Sequence, residues 1–233
     1  MPDLSQTAPV AFNCQGGLVL NRSTFMMQPG EALELQNFEP DIEGGYRRIN
    51  GFSKYLSAIV PATSSDSEKI LMVATFGDLV VAARGEKIFS GTAGGSSWTE
   101  RDTGRTSAGK YNFERYNFDG NDKLIVVDGA NAPTFFNTAM SATDVSNSDV
   151  AGAKFVTAFR SHMFYAGKST TPQTLVFSQP FDEDAFSSGS GAGSIKVDDV
   201  ITGLKVFRDN LFIFCENRIF KLSGSTSSDF AIS

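Results

Sequence analysis

Hydrophobic positions along this chain come in short bursts rich in Val, Ile, Phe and Tyr, broken by Gly, Asn, Asp and Ser, with no long stretch at helical period. That pattern predicts strands. Ile70 to Phe76 is followed by Gly77-Asp78, then Leu79 to Ala83, Gly85-Glu86 and Lys87 to Ser90. Two-residue Gly/Asp connections suit hairpins, because a left-handed backbone costs glycine nothing and aspartate little. The phrase returns three times: as Tyr111 to Phe118, Lys123 to Asp128 and Pro133 to Asn137; as Lys154 to Phe159, Met163 to Ala166 and Thr174 to Ser178; and as Leu204 to Phe207, Leu211 to Phe214 and Arg218 to Leu222. Aligned on Leu79, Leu124, Met163 and Leu211, the second strands recur at 45, 39 and 48 residues.

A repeat of that length built from strands alone predicts an all-β chain of four-stranded meanders packed radially, the blades of a β-propeller, against an irregular β-sandwich as the alternative. The blades fall at about 69–100, 110–145, 153–186 and 200–233, within a region spanning 51–233. The nearly continuous apolar run of each second strand predicts cover on both faces. Ser97 to Glu100 and Asp229 to Ile232 read as polar outer edges. No return strand comes after the fourth unit, so either four blades close on themselves or the ring belongs to a longer polypeptide or an assembly. Residues 1–50, with Pro2, Pro9, Pro29, Pro40 and paired glycines, read as an irregular extended arm; only Glu31 to Gln36 offers a short helix. The arm is nonetheless too apolar for a free tail.

Composition narrows the chemistry. Twenty Lys and Arg against 26 Asp and Glu give a net charge of −6, which disfavours sequence-specific nucleic-acid binding. No run of apolar residues is long enough to insert in a membrane, and the first residues lack the pattern of a secretory signal. Cys14 and Cys215 fit neither a disulfide framework nor a zinc site. His162, the single histidine, falls in a predicted turn, where a solvent-facing ring is expected rather than a catalytic base. Asp182-Glu183-Asp184 and Asp198-Asp199 could offer oxygen ligands, but at no spacing that fixes a cation. Ser187 to Ser194 is glycine-rich, yet the next residues, Ile195 to Asp198, form a strand pattern rather than the helix a phosphate cradle needs. No catalytic residue, cofactor or metal site is therefore assigned.

Three N-terminal phrases, Gly17-Leu18-Val19-Leu20-Asn21, Gln28 to Pro40 and Gly44 to Phe52, resemble the beginning of tailed-phage virion proteins built on a β-propeller, among them the tail nozzle (tail tubular) proteins. Val127 to Pro133 and Leu204 to Leu211 look like blade segments of the same group. The resemblance implies a non-enzymatic subunit of a homo-oligomeric ring in the virion tail, assembled in the host cytoplasm. Such a ring forms part of the DNA-ejection conduit and contacts an adaptor and fibres. Nozzle subunits are much longer, so a baseplate, fibre-attachment or host-glycan-binding propeller is the alternative; a glycan-cleaving enzyme would need paired carboxylates that the sequence cannot place. On this reading the arm docks on a neighbour, with Phe25, Met26 and Met27 as apolar anchors and Arg47 and Arg48 pairing with acidic residues across the joint.

Overall fold

Strand alternation in the blade region is realised as four antiparallel meanders, each folding back on itself through short turns. The computed structural model describes residues 16–42, 44–63, 69–106, 109–118 and 120–233; Phe12, Cys14 and Asp119 lie outside them. The chain divides into two units, Met1–Ser53 and Lys54–Ser233.

In the first unit, β1 (Gly17–Leu18) pairs in parallel with β2 (Glu31–Ala32), and β3 (Phe38–Pro40) pairs antiparallel with β4 (Tyr46–Arg48). The helix expected over Glu31 to Gln36 is replaced by β2. Glu31 is held instead by Arg22 at 2.7 Å and by the Gln28 backbone N–H at 2.8 Å, which fixes the Pro29-Gly30 turn and starts an extended segment. A single helical turn lies earlier, at Thr24–Met26.

The second unit carries four sheets in chain order. They are β5 (Ile70–Phe76), β6 (Leu79–Arg84), β7 (Lys87–Thr92) and β8 (Thr99–Asp102); β9 (Asn112–Phe118), β10 (Asn121–Val127), β11 (Thr134–Phe136) and β12 (Ala142–Asp144); β13 (Phe155–Phe159), β14 (His162–Ala166), β15 (Thr174–Phe177) and β16 (Gly193–Lys196); and β17 (Ile201–Phe207), β18 (Asn210–Cys215), β19 (Ile219–Ser223) and β20 (Ala231–Ile232). The fold is all-β and propeller-like. In the first, third and fourth blades a two-residue turn joins the first two strands. Gly77 takes φ +55° in the first, whereas Arg160-Ser161 and Arg208-Asp209 put both residues at positive φ, the twist a tight hairpin needs.

Two boundaries differ from the sequence reading. The third blade runs past 186 to Lys196, because the Ser/Gly-rich stretch makes one helical turn at Ser188–Ser190 and then supplies β16. The second strands begin at Leu79, Asn121, His162 and Asn210, since polar residues open three of them ahead of the apolar burst.

Apolar side chains fill three cores, one between each pair of successive sheets. Phe76, Val81 and Ile88 meet Leu124, Val126 and Phe136; Phe118, Ile125 and Val127 meet Val156, Met163 and Tyr165; Phe159, Phe164 and Leu175 meet Leu211, Ile213 and Leu222. Among the described residues no core joins the first sheet to the fourth, so the stack is open at both ends. Burial of the second strands follows from this. Every residue of β14 is buried, whereas β18 alternates because only one of its faces is covered.

Candidate functional site

His162 and the acidic residues singled out from the sequence have partners within the fold. His162 is buried rather than solvent-facing: it opens β14, its Nδ1 lies 2.6 Å from the Ser178 carbonyl oxygen, and Phe164, Phe177 and Phe230 surround the ring at 5.5–6.3 Å between centroids. Glu183 is buried and pairs with Lys123 across the second and third sheets. Asp184 accepts the Ser146 N–H, and Asp198 pairs with Arg218. Asp199 accepts the N–H groups of Asn217 and Val200, which hold its carboxyl below the usual range. Cys215 is half-buried, and burial pushes its thiol up. Among the described residues no group of three or more His, Cys, Asp or Glu is placed to hold a metal ion.

A buried polar lock joins the first and second blades. Arg105, on the segment leaving β8, donates from Nη1 to Asp102 at 2.8 Å and Thr134 at 2.6 Å, and from Nη2 to Asp128 at 3.0 Å. Asp128 in turn accepts the backbone N–H groups of Ala130 and Asn131 and the Asn131 side-chain amide. Burial works against the Asp128 charge, but these donors and Arg105 outweigh it and hold the carboxyl below its ordinary value. The Arg105 guanidinium lies 5.5 Å from the centre of the Tyr111 ring, whose hydroxyl is pushed up to about 12 by burial, with Arg105 opposing. The Val127 to Pro133 phrase thus has a structural use: it makes the corner that receives Arg105.

Large apolar side chains are exposed in the first unit. Phe25 is 98% and Met26 68% exposed on the helical turn of the first unit, while Met27 is half-buried at its end. Arg47, expected to pair across a joint, instead donates from Nε to Glu39 at 2.9 Å within the β3–β4 ladder; Arg48 is exposed. Ile42 and Phe52 are exposed in the same unit.

The two end faces of the stack differ. Residues 54–63 cross the outer face of the first sheet as a strap: the Tyr55 carbonyl accepts the Gly94 N–H at 2.8 Å, the Ala58 carbonyl accepts the Trp98 indole N–H at 3.1 Å, and the Val60 carbonyl accepts Arg84 Nη1 at 2.6 Å. Leu56 is buried over Gly91, where an added Cβ would sit 2.4 Å from its Cδ2. A groove of about 500 Å³ remains beside the strap, lined by Ile59, Val60, Ile70, Val73, Val80 and Trp98 among others. The outer face of the fourth sheet carries no such strap among the described residues, and Phe207, Phe214 and Ile219 are exposed there. Sequence reasoning misses the strap, although Tyr55-Leu56 and Ala58-Ile59-Val60 form an apolar run that no blade claims.

No protein-family model matches the chain, and no curated protein sequence matches it. Solved structures do resemble it. The computationally designed Ika4 protein aligns with a TM-score of 0.51 at 7% identity, over 73% of this chain and 98% of its own. The extracellular domain of a one-component system from B. thetaiotaomicron aligns with a TM-score of 0.51 at 10% identity, over 85% of this chain but only 23% of its own. At these identities the likeness shows the fold alone.

Proposed function

We propose that the chain is a structural, non-catalytic subunit of a tailed-phage virion, of the tail nozzle kind, which joins identical copies in a ring around the DNA-ejection path and offers other tail proteins an attachment surface. The observation that carries this reading is exposed apolar surface: Phe25, Met26, Ile42 and Phe52 in the first unit, and Phe207, Phe214 and Ile219 on the end of the stack. Monomeric soluble proteins keep such patches small, and larger ones mark contacts with partners. The N-terminal phrases that resemble virion propellers supply the setting, and a net charge of −6 suits a wall along which DNA must slide without being gripped. Phe25 and Met26 serve as apolar anchors with Arg48 beside the joint, while Arg47 stays with Glu39. Deleting residues 1–28 tests the anchors. The expected variant keeps its β-sheet circular dichroism but is lost from purified particles by mass spectrometry; normal incorporation would reject the reading.

One observation favours a second reading, a glycan-binding propeller of the virion. A cleft of about 310 Å³ beside β15 and β16 is lined by Asp149, Lys168, Thr171, Thr174 and Ser194 with Phe177 and Phe186, a mixture of hydroxyls, charges and aromatic rings that suits a sugar. Binding to a host surface polysaccharide that Thr174→Val weakens at least tenfold would favour it over the ring subunit.

A further inference from the structure

The four blades carry phenylalanine at one repeat position, the last residue of the first strand: Phe76, Phe118, Phe159 and Phe207. Each is paired with the first residue of the second strand, respectively Leu79, Asn121, His162 and Asn210. Phe76, Phe118 and Phe159 are 4%, 6% and 4% exposed, and each sits in the core shared with the following sheet. Phe207 is 59% exposed. It is the fourth copy of an inter-sheet contact whose receiving sheet lies outside the stack. Strand alternation places Phe212, Phe214 and Ile219 on that same face, opposite Leu211, Ile213 and Leu222, which fill the core with the third sheet.

Inside the stack, the face that receives the repeated phenylalanine is apolar, mixing aliphatic and aromatic side chains; Leu211, Ile213, Phe220 and Phe230 of the fourth blade line the core that holds Phe159. The outer face of the first sheet has that chemistry. Val73 is 61% exposed there, and with Val80 and Ile59 it lines the groove of about 500 Å³, room enough for aromatic side chains. Charge separates this pairing from the symmetric one. Lys205 and Lys221 share the Phe207 face, so two fourth sheets placed against each other would bring four lysines together. The groove carries one cation, Arg84, already engaged with the Val60 carbonyl.

We propose that copies of this chain join head to tail, the Phe207, Phe214 and Ile219 face of one copy seating in the Ile59, Val73 and Val80 groove of the next, so that the stack of sheets continues from chain to chain. A contact between two different faces, repeated, closes into a ring or runs on as a filament. The proposal deepens the ring-subunit reading and rests on it for its biological setting.

Single-cysteine variants test it. In a Cys14→Ser, Cys215→Ala background, Phe214→Cys and Val73→Cys are purified separately, checked for the parent's circular dichroism, and oxidised alone and mixed. The mixture is expected to give a disulfide-linked dimer with residue 214 of one copy joined to residue 73 of the other by peptide mapping, at least fivefold above either variant alone. Phe207→Cys and Val80→Cys replace any variant that does not fold. Phe214→Cys linking to itself as readily as in the mixture would overturn the proposal in favour of paired fourth sheets. The absence of any mixed dimer with both cysteine pairs would overturn it as well. A mixed dimer from a chain that mass spectrometry does not find in virions would leave the contact standing and remove only the virion reading; presence in virions without the mixed dimer would do the reverse.

Discussion

Phe159 and Phe207 hold the same place in successive blades and meet opposite surroundings. Phe159 is enclosed between the third and fourth sheets against Phe164 and Phe230, whereas Phe207 stands on the bare face of the fourth sheet. Repeat position dictates which way a side chain points, because strand alternation and hairpin register are local. It does not dictate burial, which depends on whether a further sheet arrives. The first sheet is treated differently again, its outer face half covered by residues 54–63 of its own chain.

The comparison breaks most visibly at the enclosed position. Phe159→Ala is expected to lower unfolding free energy by about 3–5 kcal/mol, from lost burial and the cavity left behind. Urea unfolding checks it, and a loss below about 1 kcal/mol would mean that the third core is loosely packed. Arg105→Met should cost about 3 kcal/mol or slightly more, because it keeps much of the side-chain volume but leaves Asp128 and Asp102 without their buried cation.

Acid should weaken the same corner. The Asp128 carboxyl lies below its unfolded value of about 3.9, so its contribution is complete above that pH and is lost as pH falls through the folded value. Asp199 and Asp229, lowered by backbone N–H donors, act in the same direction. Glu114 acts oppositely: burial raises it, with Lys205 opposing, so its contribution is present at low pH and is lost as pH rises through the folded value. With three lowered carboxyls against one raised, thermal midpoints should fall below about pH 4, and Asp128→Asn should flatten that fall. A midpoint independent of pH from 6 to 3 would contradict the geometry of the corner.

Smaller effects belong to the end faces. Gly91→Ala should cost about 1–2 kcal/mol by displacing Leu56, and should raise protease cleavage within residues 54–63. Phe207→Ala, at low protein concentration, should change stability by no more than about 0.5 kcal/mol, although it removes the same side chain as Phe159→Ala.

Strand periodicity and two-residue turns make the four meanders legible, since both are local signals. Alignment on apolar onsets slips by one to three residues in blades two to four, because Asn121, His162 and Asn210 open their strands with polar side chains. Aligned instead on Phe76, Phe118, Phe159 and Phe207, the repeat has spacings of 42, 41 and 48 residues, the same as those of the second-strand starts. His162 is misread from sequence because the ring that closes over it, Phe230, is supplied by the next blade. The Arg47–Glu39 pair is likewise invisible in the sequence, because Glu39 becomes a neighbour only through the β3–β4 register. The acidic clusters are unreadable for the same reason: Glu183 meets Lys123 only once the second and third sheets stack. Such pairings are products of packing, and sequence spacing carries no trace of them.

The stack of sheets is open, and the proposed head-to-tail contact would cover its end faces. Sedimentation velocity of the intact chain over a wide concentration range tests this most directly. The weight-average mass is expected to rise above 25.1 kDa with concentration, and Phe207→Asp combined with Phe214→Asp should hold it at the single-chain value while the fold survives. A wild-type chain that stays at 25.1 kDa at every concentration and melts cooperatively would contradict the account.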